Sequence, residues 1–331
     1  MGRIDRQSLI RAAVGVAVSV VAVALVVRSV DVAATARVLA AASPAWLLLA
    51  AGFLLLDVVI RAVRWQRLLA PVARVGLGSV FGYLLIGYLA NNVLPARIGE
   101  LVRCHYLGDR EGVSRTTTLG TVVVERIVDI GVVVAIAAAA ILVLSVRGIV
   151  ASAVLVGVAI VTLMVVGLGL GIAAHRIPGA ERLRVAAERW PRVGEVAGKL
   201  RDGLAVAGRP RVLLEAVVLS VVAWGATLLA FAAAGQSIGV ELSIGQASLL
   251  ASGVALAAAI PSGPASLGTF ELAAVRIGVA VGTAAEPALA IGILVHVLIL
   301  LITSGGGLIA LARLGLTAPS AAESSAGRAG D

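Results

Sequence analysis

The chain is almost without cysteine. Cys104 stands alone, which excludes an internal disulfide and any metal site built from cysteines. Histidine is nearly as scarce, and His105, His175 and His296 are scattered with no metal-ligand spacing among them. No phosphate-binding nucleotide loop, no pair of metal-binding aspartates and no serine elbow with a matching base can be found, so neither ATP-driven pumping nor soluble-type hydrolysis has support, and no cofactor is called for. Apolar residues do not alternate at every second position, as the strands of a membrane β-barrel would require. Charge is thin as well, at 14% of residues.

What fills the sequence instead is long apolar runs. With 60% apolar residues and a mean hydropathy of +1.07 over 331 residues, the composition excludes a soluble globular protein and predicts an all-α, polytopic membrane helical bundle. The runs fall at about 12–27, 45–60, 77–94, 118–146, 149–174, 212–234, 244–260 and 270–313, the last broken near Glu286–Pro287. The net charge of +9 comes from arginines and one lysine, Lys199. Because the arginines sit between apolar spans, they report topology and contact with anionic lipid heads, and no nucleic-acid partner is expected.

The N-terminus (Arg3, Arg6, Arg11, then apolar residues to Val27) looks like a signal peptide. Arg28 and Asp31 follow directly and no small-residue cleavage site lies there, so a retained first helix is expected. Residues 1–316 read as a single transmembrane domain, and the small, polar residues 317–331 as a disordered tail.

Arginine placement sets the topology. If every run simply crosses, the loops 95–115 and 175–211 fall outside, against the positive-inside bias. If 77–94 enters from the cytoplasm and the chain turns back at Pro95, nearly all arginines gather inside; Arg28, Arg37 and Arg147 remain outside, and Arg126 and Arg276 stay within the membrane. This arrangement predicts about six full spans plus two broken or re-entrant hairpins in the cell membrane, with both termini cytoplasmic. The second hairpin is "AAAIPSGPASLGTFELAAV", residues 257–275. One broken hairpin in each half is the pattern of a transporter whose site lies near the midplane. Residues 175–211 read as a cytoplasmic amphipathic segment: Val193, Val196, Leu200, Leu204 and Ala207 recur at helical spacing opposite Arg192, Glu195, Lys199 and Asp202.

Three polar constellations interrupt the apolar background. In the first, Asn91 and Asn92 lie near the end of a helix that Pro95 terminates, and Arg97, Gly99, Glu100 and Arg103 begin a short amphipathic one. Arg97 and Arg103 are candidates to grip a phosphate, with Glu100, three residues from each, holding them. In the second, Glu125 and Asp129 share a helix face, with Arg126 about 100° round. Three charges near mid-membrane would cost roughly 7–10 kcal/mol, so they should face the interior and pair, with Arg97 or Arg103 as partners. The third is "PSGPASLGTFE", 261–271, whose glycines allow close backbone approach and whose N–H groups are candidates for binding an anion. Glu271 then opens the next helix. Asp57 and Arg61 read as a helix pair at the interface, Arg64 and Arg67 as contacts to lipid phosphates, and His296 as a packing residue.

"NNVLPARIGELVR", "VVVERIVD" and "PSGPASLGTFE", in this order, resemble the flippase-like integral membrane family that includes the transmembrane translocating half of bacterial lysylphosphatidylglycerol synthases. The resemblance runs over roughly residues 10–315. It implies a bundle with re-entrant pieces that moves an anionic or glycosylated lipid between leaflets. The substrate-binding residues it implies are Asn92, Arg97, Glu100, Arg103, Glu125, Arg126, Asp129 and Glu271, with structural turns at Pro95, Gly99, Pro261, Gly263 and Gly268. "SGPAS" replaces the family's usual tighter run of glycines. The sequence stops after its last span, so the resemblance points to the translocating half without the synthase domain. The expected activity is transport rather than catalysis, with membrane lipids bearing a phosphate or other anionic head group as partners, and envelope glycosyltransferases or lipid-synthesis proteins as associates. An accessory subunit or membrane enzyme of envelope lipid and glycan assembly, using Glu125 or Asp129 as a base, is the alternative.

Overall fold

The computed structural model of the protein describes residues 6–94, 98–173, 198–200, 202–259 and 262–314. Among them every regular element is helical: α1 Arg6–Ser29, α2 Val32–Ala40, α3 Pro44–Leu69, α4 Leu77–Val93, α5 Gly99–Glu111, α6 Arg115–Leu144, α7 Ile149–Ala173, α8 Pro210–Ser237, α9 Ile244–Ala258, α10 Thr269–Ala280, α11 Ala285–Leu300 and α12 Gly306–Arg313. Pro95, Arg97 and Pro261, most of the segment 175–211 and residues 315–331 lie outside the described residues.

The boundaries follow local chemistry. α3 starts with Pro44 at its first position, where the missing N–H costs nothing. α6 is capped by Ser114, and α9 by a reciprocal box in which Ser243 and Gln246 each accept the other's backbone N–H. α5 stops at Gly112, whose φ of 65° is the left-handed conformation that suits glycine at a helix end. α11 runs into α12 through a π-turn at Leu301–Gly305. The break expected near Glu286–Pro287 falls just before them, between Ala280 and Ala285.

Among the described residues, four helical stretches are long and apolar enough to cross a membrane: α3, α6, α8 and the run Ala285–Arg313. A fifth crossing arises if α1 and α2, bent by 87° at their junction, make one span. The chain is therefore a multi-pass membrane protein. α4 with 17 residues and α9 with 15 are shorter apolar helices, at or below the lower limit for a full span.

Burial follows from that solvent. On α3, Leu48, Leu49, Leu55, Leu56 and Val59 face outward, while Asp57, Arg64 and Trp65 turn inward beside Ala50, Leu54 and Ala62. Polar groups sit inside because hydrocarbon offers them no partner. α3 packs most extensively against α8, antiparallel to it, with the Ser43 N–H donating to the Ser237 carbonyl at 2.7 Å. α6 lies against α3, α5, α7, α8 and α9, which makes it the central post. The described end of the segment 175–211 docks on this post: Leu204 and Ala207 are half-buried and Lys199 and Asp202 face out, as its amphipathic pattern predicts, and Val206, outside that pattern, is buried. Val193 and Val196 of that pattern lie outside the described residues.

α4 and α5 form a tight V around Gly87 and Gly99. A Cβ on Gly99 would overlap the Gly87 carbonyl and would stand 2.6 Å from Asn91 Oδ1, while one on Gly87 would meet the Gly99 carbonyl at 2.9 Å. Replacing Gly99 by alanine is expected to cost about 1–3 kcal/mol of stability through overpacking. Gly52→Ala, which meets nothing within 4 Å, is expected to cost none. Thermal unfolding of the two variants in detergent, side by side, checks this.

Candidate functional site

Where α3, α5, α6 and α8 meet, four arginines and four carboxylates interlock, and their formal charges cancel. Arg64 is the centre, with 1% of its surface exposed. Its Nη2 donates to Glu125 Oε1 at 2.9 Å, and its Nη1 to Asp129 Oδ1 and to Ser220 Oγ, both at 2.7 Å. Arg61, one turn earlier, bonds Asp57 through Nε at 2.8 Å and Asp129 through Nη1 at 3.0 Å. Arg103 of α5 gives Nη2 to the second oxygen of Glu125 at 2.8 Å. Trp224 of α8 donates its indole N–H to Asp129 at 3.1 Å. Aromatic faces complete the shielding: Arg103 lies 4.4 Å from the centre of the Trp65 ring and Arg61 5.1 Å from that of Trp224. Arg126 pairs with Glu100 at the half-exposed edge of the cluster.

Helix geometry explains the assembly. Asp57, Arg61 and Arg64 stand four and three residues apart, on one face of α3, and Glu125 and Asp129 stand four apart on the facing side of α6. Cys104 adjoins the cluster without joining it; burial pushes its thiol up to about 12, so it stays protonated at neutral pH.

The network leaves donors over. Arg64 Nε, Trp65 Nε1 and Arg103 Nη1 are buried without an acceptor. Arg103 also lines a narrow crevice with Leu84, Gly87, Tyr88, Asn91, Gly99, Glu100 and Arg126. In this conformation the crevice holds no space large enough for a water molecule. On other faces of α6, an apolar groove of about 760 Å³ runs between α6, α7 and α8, lined by Val124, Val128, Val132, Val165, Val217 and Val221 among others.

Several sequence expectations change in this light. Arg64 is buried in the network rather than facing lipid phosphates; the Asp57–Arg61 helix pair forms as expected, and Arg61 reaches on to Asp129, whereas Arg67 is exposed and lies 4.0 Å from Glu215. A signal was present, since three charges on one face of an apolar helix cost as much on α3 as on α6. Glu100 does not hold Arg103; its partner is Arg126. Asn91 Oδ1 accepts the Gly99 N–H at 2.7 Å, which satisfies one of the free amides at the start of α5. Asn92 is not in the crevice lining; its amide donates to Thr303 at 2.8 Å and Ser304 at 3.0 Å in the π-turn.

Glu271 stands apart from the arginines. It bonds His296 and the Gly268 N–H, so the described polar residues form two centres rather than one pocket. The amides of its turn are not open to an anion either, because Gly263 N–H donates to Ser19 Oγ at 2.9 Å and Gly268 N–H to Glu271 at 2.7 Å. Among the described residues no group of three or more histidine, cysteine or acidic side chains is arranged to hold a metal ion.

Comparison with known proteins adds a family and a partial relative. The model of the family described as the lysylphosphatidylglycerol synthase TM region matches residues 12–307. Glycosyltransferase AglD of Haloferax volcanii is 30% identical over 129 residues, which is 39% of this chain and 20% of that protein. The chain thus aligns with a fifth of that relative's length. No solved structure matches.

The network separates two kinds of ion pair. Glu125→Ala strands the buried Arg103 and strips Arg64 of one of its two carboxylates, and is expected to cost about 3–5 kcal/mol, whereas Glu100→Ala at the exposed edge is expected to cost about 1 kcal/mol or less. Comparative thermal unfolding in one detergent measures the difference.

Proposed function

The chain belongs to the lysylphosphatidylglycerol synthase transmembrane-region family, and from that premise we propose that it handles membrane lipids as a translocator of lipids with a phosphate-bearing or otherwise anionic head group. The observation that carries this reading is Arg103, a buried arginine with a spare donor, on a crevice it shares with Arg126, Glu100 and Asn91. A phosphate is the ligand such forked donors suit, and it would exchange with the carboxylates that hold the arginines in the closed state. Glu125 and Asp129 position the guanidinium groups in that scheme, and the apolar groove on α6 offers acyl chains a path beside them. Arginine-rich loops on one side support a plasma-membrane orientation with both termini cytoplasmic. The partial likeness to AglD supports a second reading, an accessory role in envelope glycan assembly beside a glycosyltransferase.

Purified protein in vesicles with labelled phosphatidylglycerol distinguishes these. Arg103→Gln is expected to slow lipid movement by about tenfold, the weight of one lost charge-assisted hydrogen bond, while the exposed Arg211→Gln leaves it unchanged. Equal movement by wild type and Arg103→Gln would overturn the proposal. A chemically altered lipid, read by mass spectrometry, would shift the assignment from transport to catalysis.

A further inference from the structure

The second polar centre carries chemistry of its own. His296 of α11 is 4% exposed and stacks on Phe270 with ring centres 4.2 Å apart. Its Nδ1 lies 2.6 Å from Glu271 Oε1 and its Nε2 lies 2.9 Å from the carbonyl oxygen of Ala265. The carbonyl only accepts, and so does an ionised carboxylate. Two bonds to two acceptors are complete in two ways: a doubly protonated ring beside ionised Glu271, or a ring protonated at Nε2 beside a protonated Glu271 that donates to Nδ1. Both forms hold one proton more than a neutral ring facing an ionised carboxylate, in which one ring nitrogen would confront an acceptor with no hydrogen between them.

We infer that Glu271 and His296 form a proton-binding site, and that its occupancy holds the turn 262–268 in place. The turn is under tension and needs holding. Ala265 and Ser266 have φ of 55° and 58°, where side chains are rarely found, and Gly268 has φ of 83°. Its middle is tied through the Ala265 carbonyl to His296, and its C-terminal end through the Gly268 N–H to Glu271 Oε2. α1 clamps it from outside: Ser19 accepts from Gly263 N–H, and a Cβ on Gly268 would meet the Ser19 carbonyl at 2.7 Å.

Among the described residues, the elements around the pair bring no second charge to it. α9 carries none, and α1 offers Ser19, its Arg28 being exposed in the last turn. Arg211 and Glu215 sit in the first turns of α8, Arg37 of α2 and Arg276 of α10 are exposed, and α3 keeps Asp57, Arg61 and Arg64 in their own network. Glu286 is ten residues before His296 on α11, about 15 Å along the helix, and accepts from the Asp31 N–H. The proton is therefore held by the pair and the turn alone. The turn also packs on α4, which lines the crevice, so its release would be felt there.

Glu271→Gln makes a direct test, because a glutamine can donate to Nδ1 and still accept from Gly268 N–H, reproducing the loaded state with no dissociable proton. The full chain, ¹⁵N-labelled at its three histidines and held in nanodiscs, is titrated between about pH 5 and pH 10, with His296→Gln assigning the resonance. In wild type the His296 ring signals are expected to change in one step, and the protection of the turn amides, taken as exchange relative to the intrinsic rate at each pH, to fall about fivefold over the same step. In Glu271→Gln that protection stays constant throughout. No step in wild type, an equal fall in protection in Glu271→Gln, or a turn whose protection is unchanged through the His296 step would overturn the inference. Should Glu271→Gln fail to fold, coincidence of ring and turn in wild type still decides it. No lipid substrate enters the assay, so its outcome is separate from that of the transport proposal.

Discussion

A guanidinium group in hydrocarbon must carry its counter-charges with it, and the centre of this bundle is arranged around that requirement. Arg64 reaches Glu125 and Asp129 at once, Arg61 and Arg103 take the remaining oxygens, and Trp224 and Ser220 fill the gaps from α8. Four helices are thereby fixed in register by bonds that have no substitute in lipid. Breaking such a pair leaves a charge that neither water nor another side chain can reach. The charges cancel within the cluster, so it is stable when empty, yet spare donors on Arg64 and Arg103 leave it short of acceptors. A ligand bearing anionic oxygens fits that shortage.

The fold was legible where it depends on composition and local signals. Apolar runs gave the helices, and Pro95 and the glycine-rich turn marked the breaks. The pairing of Glu125 with Arg103 was legible too, because charges on an apolar helix must face inward and seek a partner. Membership of Arg61 and Arg64 escaped, since arginines near a span end also suit lipid head groups, and only the packing of α3 on α6 decides between the two. Glu100 lies one turn from Arg103 on its own helix but bonds Arg126 on another, a choice that spacing along α5 cannot reveal. His296 and Glu271 are 25 residues apart, and the fold of α10 against α11 makes them neighbours.

The described polar residues gather at two centres rather than one. The arginine centre carries no surplus charge and opens on the crevice beside α4; the histidine centre grips a turn that also leans on α4. Asn92, tied to Thr303 and Ser304 at the π-turn, fixes the end of α4 between the two. α4 is thus the shared element, short, bounded by breaks, and in contact with both.

Whether the arginine centre behaves as one coupled unit is measured most directly by a double-mutant cycle on Arg103 and Glu125, each replaced by glutamine singly and together, with unfolding free energy as the readout. The structure predicts strong coupling, with the double variant at least about 1 kcal/mol more stable than the sum of the single losses implies, because removing both partners removes the stranded charge. Strictly additive losses would contradict it, showing that the two side chains contribute to stability independently and that the network does not hold the helices together.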